Sequence, residues 1–157
     1  MAESEQYKIF LSKAMTLCAS REMCSSDIKK KLELWGLDRI QSENIIERLV
    51  SEKFIDDSRY ATAFVKDKFR YNKWGKMKIT ANLRMKNIPG DIIKQALDTI
   101  DQDTYYDSIM TLIMAHKKSV RAKNHYDLKA KLLRYGLSKG FESNILYDVI
   151  NKIEQEE

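Results

Sequence analysis

The chain has 157 residues, 43% of them hydrophobic and 32% charged, with a formal net charge of +5. That composition is globular and excludes an intrinsically disordered chain. One proline and five glycines are too few for the many tight turns of a strand-rich fold, so an all-α protein is expected.

Taken in order, the predicted elements are helices in groups of three. Tyr7, Phe10, Leu11, Ala14, Leu17 and Cys18 form an apolar stripe at helical spacing. Ser25 or Ser26 is placed to cap a second helix, which carries Ile28, Leu32 and Trp35 and stops at Gly36. A third carries Ile45, Ile46, Leu49 and Val50. The next group starts after Asp56-Asp57 with Tyr60, Ala61, Phe64 and Val65. Gly75 breaks that helix, Ile79 and Leu83 mark a short one, and Pro89 suits the first turn of another, with Ile92, Ile93, Ala96, Leu97 and Ile100. The last group has Tyr105, Tyr106, Ile109, Met110 and Ile113, then Leu128 and Leu132, then Ile145, Leu146, Val149, Ile150 and Ile153.

These groups are copies of one another. In register, Asp27, Ile28, Lys31, Leu32, Trp35, Gly36 and Leu37 correspond to Asp127, Leu128, Lys131, Leu132, Tyr135, Gly136 and Leu137. Asn44, Ile45, Ile46, Leu49 and Val50 likewise correspond to Asn144, Ile145, Leu146, Val149 and Ile150. In the middle copy Ile79, Leu83, Asn87 and Ile88 echo Ile28, Leu32, Gly36 and Leu37, and a gap after Ile88 lets Ile92, Ile93 and Leu97 echo Ile45, Ile46 and Leu49. The expected domains are three-helix repeats at 1–55, 56–101 and 102–157. A single repeat of this size is marginal alone and gains stability from its neighbours, which predicts an elongated, curved array.

Charge is concentrated. Residues 59–90 hold nine basic side chains against Asp67 alone, and residues 117–140 hold eight against Asp127. The flanking stretches are acidic. Two basic blocks of this kind suit a polyanionic partner, although a solvated basic helix face has the same composition. On charge, the middle block, Lys66, Arg70, Lys73, Lys76, Lys78, Arg84 and Lys86, is the predicted core of a contact surface. Lys117, Lys118, Arg121 and Lys123 are a second handle. Trp74 lies between lysines and either anchors an interface or folds back on the core.

Other chemistry is weakly represented. Asp56 and Asp57 immediately precede an apolar helical run, where a carboxylate caps the free N–H groups, and Arg59 either pairs with Asp56 or faces a partner. Cys18, Cys24, His116 and His125 match no standard metal-ligand spacing. No nucleophile motif is recognisable, so neither catalysis nor a cofactor is expected. Two cysteines make no disulfide framework, and the N-terminus MAESEQYK has no secretory pattern, so the cytoplasm is expected. The longest apolar stretch, Ile109 to Ala115, is too short to span a membrane.

Ile55-Asp56-Asp57-Ser58-Arg59-Tyr60-Ala61 with Phe64-Val65, followed by Gly75-Lys76-Met77-Lys78-Ile79, Leu83 and Ile88, resembles the middle repeat of the RecX family of bacterial recombination regulators. Leu17, Arg21, Ile28, Lys31, Leu32, Gly36 and Leu37 resemble its first repeat. Lys131-Leu132-Leu133-Arg134-Tyr135-Gly136 and Lys139-Gly140-Phe141 resemble its last. Lys76 stands where many members have proline, Asn87 replaces a turn glycine, and Cys24 takes the place of a capping Ser or Thr. The resemblance implies an all-helical, non-enzymatic modulator that lies in the groove of the RecA–DNA filament and in most members inhibits recombinase, ATPase and coprotease activities. A monomer is expected. The alternative reading is a general basic DNA-binding helical module.

Overall fold

The computed structural model describes residues 5–155. They form nine α-helices and no strand: α1 (Glu5–Ser20), α2 (Ser25–Leu34), α3 (Arg39–Ser51), α4 (Asp57–Arg70), α5 (Lys76–Met85), α6 (Gly90–Leu97), α7 (Gln102–Lys117), α8 (His125–Ser138) and α9 (Ser143–Gln155). Short polar side chains start several of them. Asp38 and Gln41 make a reciprocal capping box on α3, Asp101 accepts the Thr104 N–H on α7, and Asn124 accepts the Asp127 N–H on α8. At α2 the cap position is Cys24, which makes no side-chain capping bond. Ser25 and Ser26, predicted as substitutes, are already helical and bond elsewhere.

Packing divides the chain into two compact units. One comprises the chain up to Ala63 together with Leu83–Ile93, the other Phe64–Asn82 together with the chain from Lys94 onward. The helices of the middle group are thus shared between them. The first unit buries Leu11, Ala14, Ile28, Leu32, Ile45, Leu49 and Ile55, with Phe10 stacked on Trp35 at its margin. The second buries Tyr105, Ile109, Ile113, Leu132, Phe141, Leu146, Val149 and Ile153, and the Tyr105 ring packs between those of Phe69 and Phe141.

The repeat is present, in a different register from the expected one. The second helix of each group ends in a left-handed residue, Gly36 (φ 92), Asn87 (φ 61) and Gly140 (φ 90). The next amide closes on the carbonyl five residues back: Leu37 on Leu32, Ile88 on Leu83 and Phe141 on Gly136. This is a Schellman-type stop, for which Gly or Asn is suited. Gly36 therefore corresponds to Gly140, not Gly136, and Leu37 to the buried Phe141, not the exposed Leu137. With that shift the buried positions line up without a gap: Ile28, Ile79 and Leu132; Ser42, Ile93 and Leu146; Ile45, Ala96 and Val149. The direct match of Gly36 to Gly136 misled because α8 begins a turn early, so similar residues fall one turn apart.

Gly136 itself lies inside α8 because α9 comes close. A Cβ there would sit 2.4 Å from a methyl carbon of Leu146. The first repeat has Leu32 and Ser42 at the same two places, both fully buried. Large and small have exchanged sides, which keeps the summed volume nearly constant. Among the described residues the Ser42 hydroxyl has no hydrogen-bond partner.

One joint occurs twice. In the second unit the free N–H groups at the start of α5 meet the loop that ends α8. Gly75 donates to the Lys139 carbonyl at 2.7 Å and Met77 to the Gly140 carbonyl at 3.0 Å. Lys76 N–H donates to the Tyr105 hydroxyl at 3.0 Å, and that hydroxyl donates to the Glu142 carboxylate. A Cβ on Gly75 would lie 2.3 Å from the Gly140 backbone, so only glycine fits there. In the first unit the start of α2 meets the loop that ends α5. Ser26 Oγ donates to the Lys86 carbonyl at 2.8 Å, and Lys86 Nζ reaches Asp27 Oδ1 at 2.5 Å. Lys86 and Lys139 each precede the left-handed cap, so the same carbonyl is the acceptor in both joints.

Two outcomes follow from this packing. Gly136→Leu is expected to destabilise by about 1–3 kcal/mol in urea unfolding; adding Leu146→Ala, which restores the large-then-small order of the first repeat, should recover much of it. A double variant as unstable as the single one would refute the exchange. For Asp27, burial pushes the pKa up, but the hydrogen bond from Lys86, with further bonds at Cys24, outweighs it and holds the carboxyl below its usual value of 3.8. A depressed pKa makes its contribution present above about pH 4 and lost as pH falls below that. Asp27→Asn should therefore be less stable than the parent at pH 7, by up to about 1 kcal/mol, and the difference should narrow in thermal melts as pH falls below the ordinary carboxylate value.

Candidate partner-binding surface

The most distinctive motif is engaged within the fold, although Asp56 and Arg59 stay exposed. Asp56 accepts the Arg59 N–H at 3.0 Å and caps α4. Asp57 accepts the Ser25 N–H at 3.1 Å and so ties α4 to the start of α2. The Arg59 guanidinium pairs with Glu22 and donates to the carbonyls of Lys53 and Phe54 at 3.3–3.4 Å. It thus closes the C-terminus of α3, where a cation suits the exposed carbonyls. Local spacing points to Asp56, which accepts the Arg59 N–H, and not to Glu22, 37 residues away. Tyr60 is 8% exposed; burial, then the nearby charge of Asp27, pushes its phenol pKa well up, so it stays neutral. All four residues make contacts within the fold or lie buried in it.

The middle basic block separates into three environments. Lys66, Arg70 and Lys73 are exposed and line one groove of the second unit, together with Phe69, Ile100 and Thr104. Lys76 and Lys78 lean on aromatic rings, with Nζ 4.7 Å from the centroids of Tyr105 and Trp74 respectively. Lys68 covers the same Trp74 ring at 5.0 Å, and Phe64 meets its edge. Trp74 is therefore half-buried under its own lysines, a cation–π arrangement that holds the ammonium groups in place while leaving their charge partly wet. Arg84 and Lys86 belong to the first unit, where Arg84 is exposed and Lys86 is committed to Asp27.

The second block also divides. Lys117 borders a small recess with His125, Lys129 and Glu154, whereas Arg121 borders a shallow one with His116, Lys131 and Arg134. Lys118 and Lys123 are exposed, and the Lys123 amide bonds to Asp127. Lys131 and Arg134 were missed as site candidates. Their helical positions place them beside Arg121, and the His116 ring stacked at 3.6 Å on Tyr135 forms the floor between them. A basic pair at helical spacing was visible in the sequence, but its neighbour across the loop was not.

Chemically, these surfaces offer fixed positive charge and little else. The strongly shifted groups Tyr60 and Tyr105 are buried phenols held neutral. Among the described residues no three His, Cys, Asp or Glu side chains gather to hold a metal ion, and no helix is long and apolar enough to cross a membrane.

Comparison with known proteins fits this architecture. A family model described as "RecX, second three-helix domain" matches residues 56–97. The protein named "Regulatory protein RecX" from Clostridium beijerinckii is 31% identical over 157 residues, covering 98% of this chain and 72% of that protein. Its namesake from Clostridium botulinum strain Eklund 17B is 33% identical over 127 residues, 80% of this chain, which spans 59% of that relative's length. A crystal structure titled "regulatory protein RecX" superposes with a TM-score of 0.86 at 24% identity, over 94% of this chain and 72% of the other. RecX from Lactobacillus salivarius superposes with a TM-score of 0.83 at 20% identity, over 95% and 97%. With the fold carried by the structures and the kinship by the relatives, the chain belongs to the RecX family of regulatory proteins.

Proposed function

We propose that this chain binds the RecA–DNA filament and inhibits RecA's recombinase, ATPase and coprotease activities, in the cytoplasm and without catalysis of its own. The observation that carries the reading is a pair of related joints, in which the start of α5 bonds to the Lys139 carbonyl and the start of α2 to the Lys86 carbonyl; on this reading the three-helix repeats run 1–55, 56–101 and 102–157. A chain built of repeats suits a periodic partner. Several weak contacts then add to a useful affinity, provided their spacing matches the partner's. The basic blocks supply attraction to a filament that carries nucleic acid, and membership of a regulatory family supports action on another protein rather than on a small substrate. Preferential binding to one filament state blocks the transition that hydrolysis requires. The contact residues on this reading are Lys66, Arg70, Lys73, Trp74, Lys76 and Lys78, with Lys117, Lys118, Arg121 and Lys123 as a second handle. Arg84 adds to the first set, and Lys86 acts chiefly within the fold.

The direct test is RecA ATPase on single-stranded DNA, titrated with this chain; the expected outcome is a concentration-dependent fall. Unchanged hydrolysis at saturating chain would overturn the proposal. Replacing Lys73, Lys76 and Lys78 together by Glu should abolish inhibition of strand exchange while the helical circular-dichroism spectrum is retained. Full inhibition by that folded variant removes the patch. Binding to bare DNA as tight as to a RecA-coated strand at physiological salt would favour the general DNA-binding module instead, with affinity falling steeply as salt rises.

A further inference from the structure

We propose that the groove between α4 and the first turns of α7 is a docking site for an acidic, amphipathic helix on a partner protein. The groove lies wholly within the second unit and encloses about 500 Å³. Lys66, Arg70 and Lys73 form one wall. Among the described residues none of the three makes an ion pair, so their charge is uncommitted. Phe69 and Ile100 line the groove as half-buried apolar surface continuous with the core of the unit. The opposite wall is Thr104, Asp101 and their neighbours.

This lining suits a peptide better than a phosphodiester strand. Two of the hydroxyls lining the groove are already used, leaving Ser108: Thr99 donates to the Ala96 carbonyl at 2.6 Å and Thr104 to Asp101 at 3.1 Å. Asp101 is held ionised, chiefly by the Thr104 backbone N–H and then by its hydroxyl, which keep its pKa below the usual carboxylate value. A fixed negative charge in the groove repels an unbroken row of phosphates. The Phe69 ring packs 5.7 Å from the Tyr105 ring and belongs to the core, so it is not a free platform for stacking a base. A helix meets these conditions, because its carboxylates can lie along the Lys66–Arg70 wall while another of its faces meets Asp101. Lys66 and Arg70 are one turn apart, about 6 Å along the axis, the same spacing as carboxylates at i and i+4 on a facing helix. An adjacent apolar stripe covers Phe69 and Ile100, in the helix-in-groove mode. The inference rests on the proposed function only in taking this surface to serve a protein partner; it names what that partner presents.

The test uses the full chain and three labelled probes in fluorescence anisotropy. One is a short helical peptide with glutamates at i, i+4 spacing beside a leucine stripe, the second is its scramble of identical composition, and the third is oligo-dT. The patterned peptide is expected to bind at least about tenfold more tightly than the scramble, and Lys66→Glu/Arg70→Glu, at exposed positions, to weaken it by at least as much. Equal binding of the scramble would reduce the site to bulk charge and overturn the proposal. So would no peptide binding at all, or oligo-dT binding that the double variant abolishes while peptide binding survives. The same variant in the RecA ATPase assay separates the two readings. Loss of peptide binding with undiminished inhibition keeps the docking site and detaches it from RecA; loss of inhibition with peptide binding intact overturns the docking site alone.

Discussion

The fold depends on where the unpaired N–H groups of a helix start find acceptors. A helix leaves its first amides and last carbonyls without intrahelical partners, and a buried end must recover those bonds. Here the start of one repeat's second helix is placed against the end of the next repeat's second helix; at α5 the free amides bond directly to the carbonyls that end α8, and at α2 the Ser26 hydroxyl bonds to the carbonyl that ends α5. The opposed ends of the helix dipoles favour the same arrangement. Close approach sets the residue types. Gly75 and Gly140 touch backbone to backbone; where the first joint has Cys24 and Asn87 instead, a serine hydroxyl and a Lys–Asp pair bridge the distance.

That geometry also sorts the cations. A lysine near a joint or an aromatic ring is a structural element whose charge is partly spent. Lys86 closes on Asp27, Lys139 Nζ reaches the Asn72 carbonyl, and Lys68 and Lys78 flank Trp74. Lys66, Arg70 and Lys73 take no part in these contacts, and their side chains stay exposed. Net charge therefore overstates the uncommitted positive charge that the surface displays. The most recognisable sequence motif illustrates the same point from the acidic side. Asp56, Asp57 and Arg59 are all absorbed in capping and in tying α4 to α2 and α3.

Helix content, the grouping in threes and the basic blocks were readable from the chain because each depends on local patterning. Apolar spacing near 3.6 residues shows a helix whatever it packs against, and a scarcity of Gly and Pro limits turns everywhere. Kinship was readable for the same reason, since the Asp-Asp-x-Arg-Tyr-Ala segment is contiguous. The register of the third repeat was not. Gly36 and Gly136 look equivalent in sequence, yet one ends a helix and the other admits Leu146. A glycine kept for its backbone angle and a glycine kept for space carry the same letter, and only the neighbour across the core tells them apart.

The candidate surface divides along the same line. The order of residues along the chain determined that it is helical, repeated and basic in two places, because those are patterns readable without any contact across the fold. Which lysines remain uncommitted, that Arg59 answers Glu22, and that Lys66 and Arg70 share a groove with Phe69 and Ile100 were decided only on folding. The physical reason is distance. Hydrogen bonds and ion pairs act over a few ångströms, and the partners they join here are 30 or more residues apart in the chain.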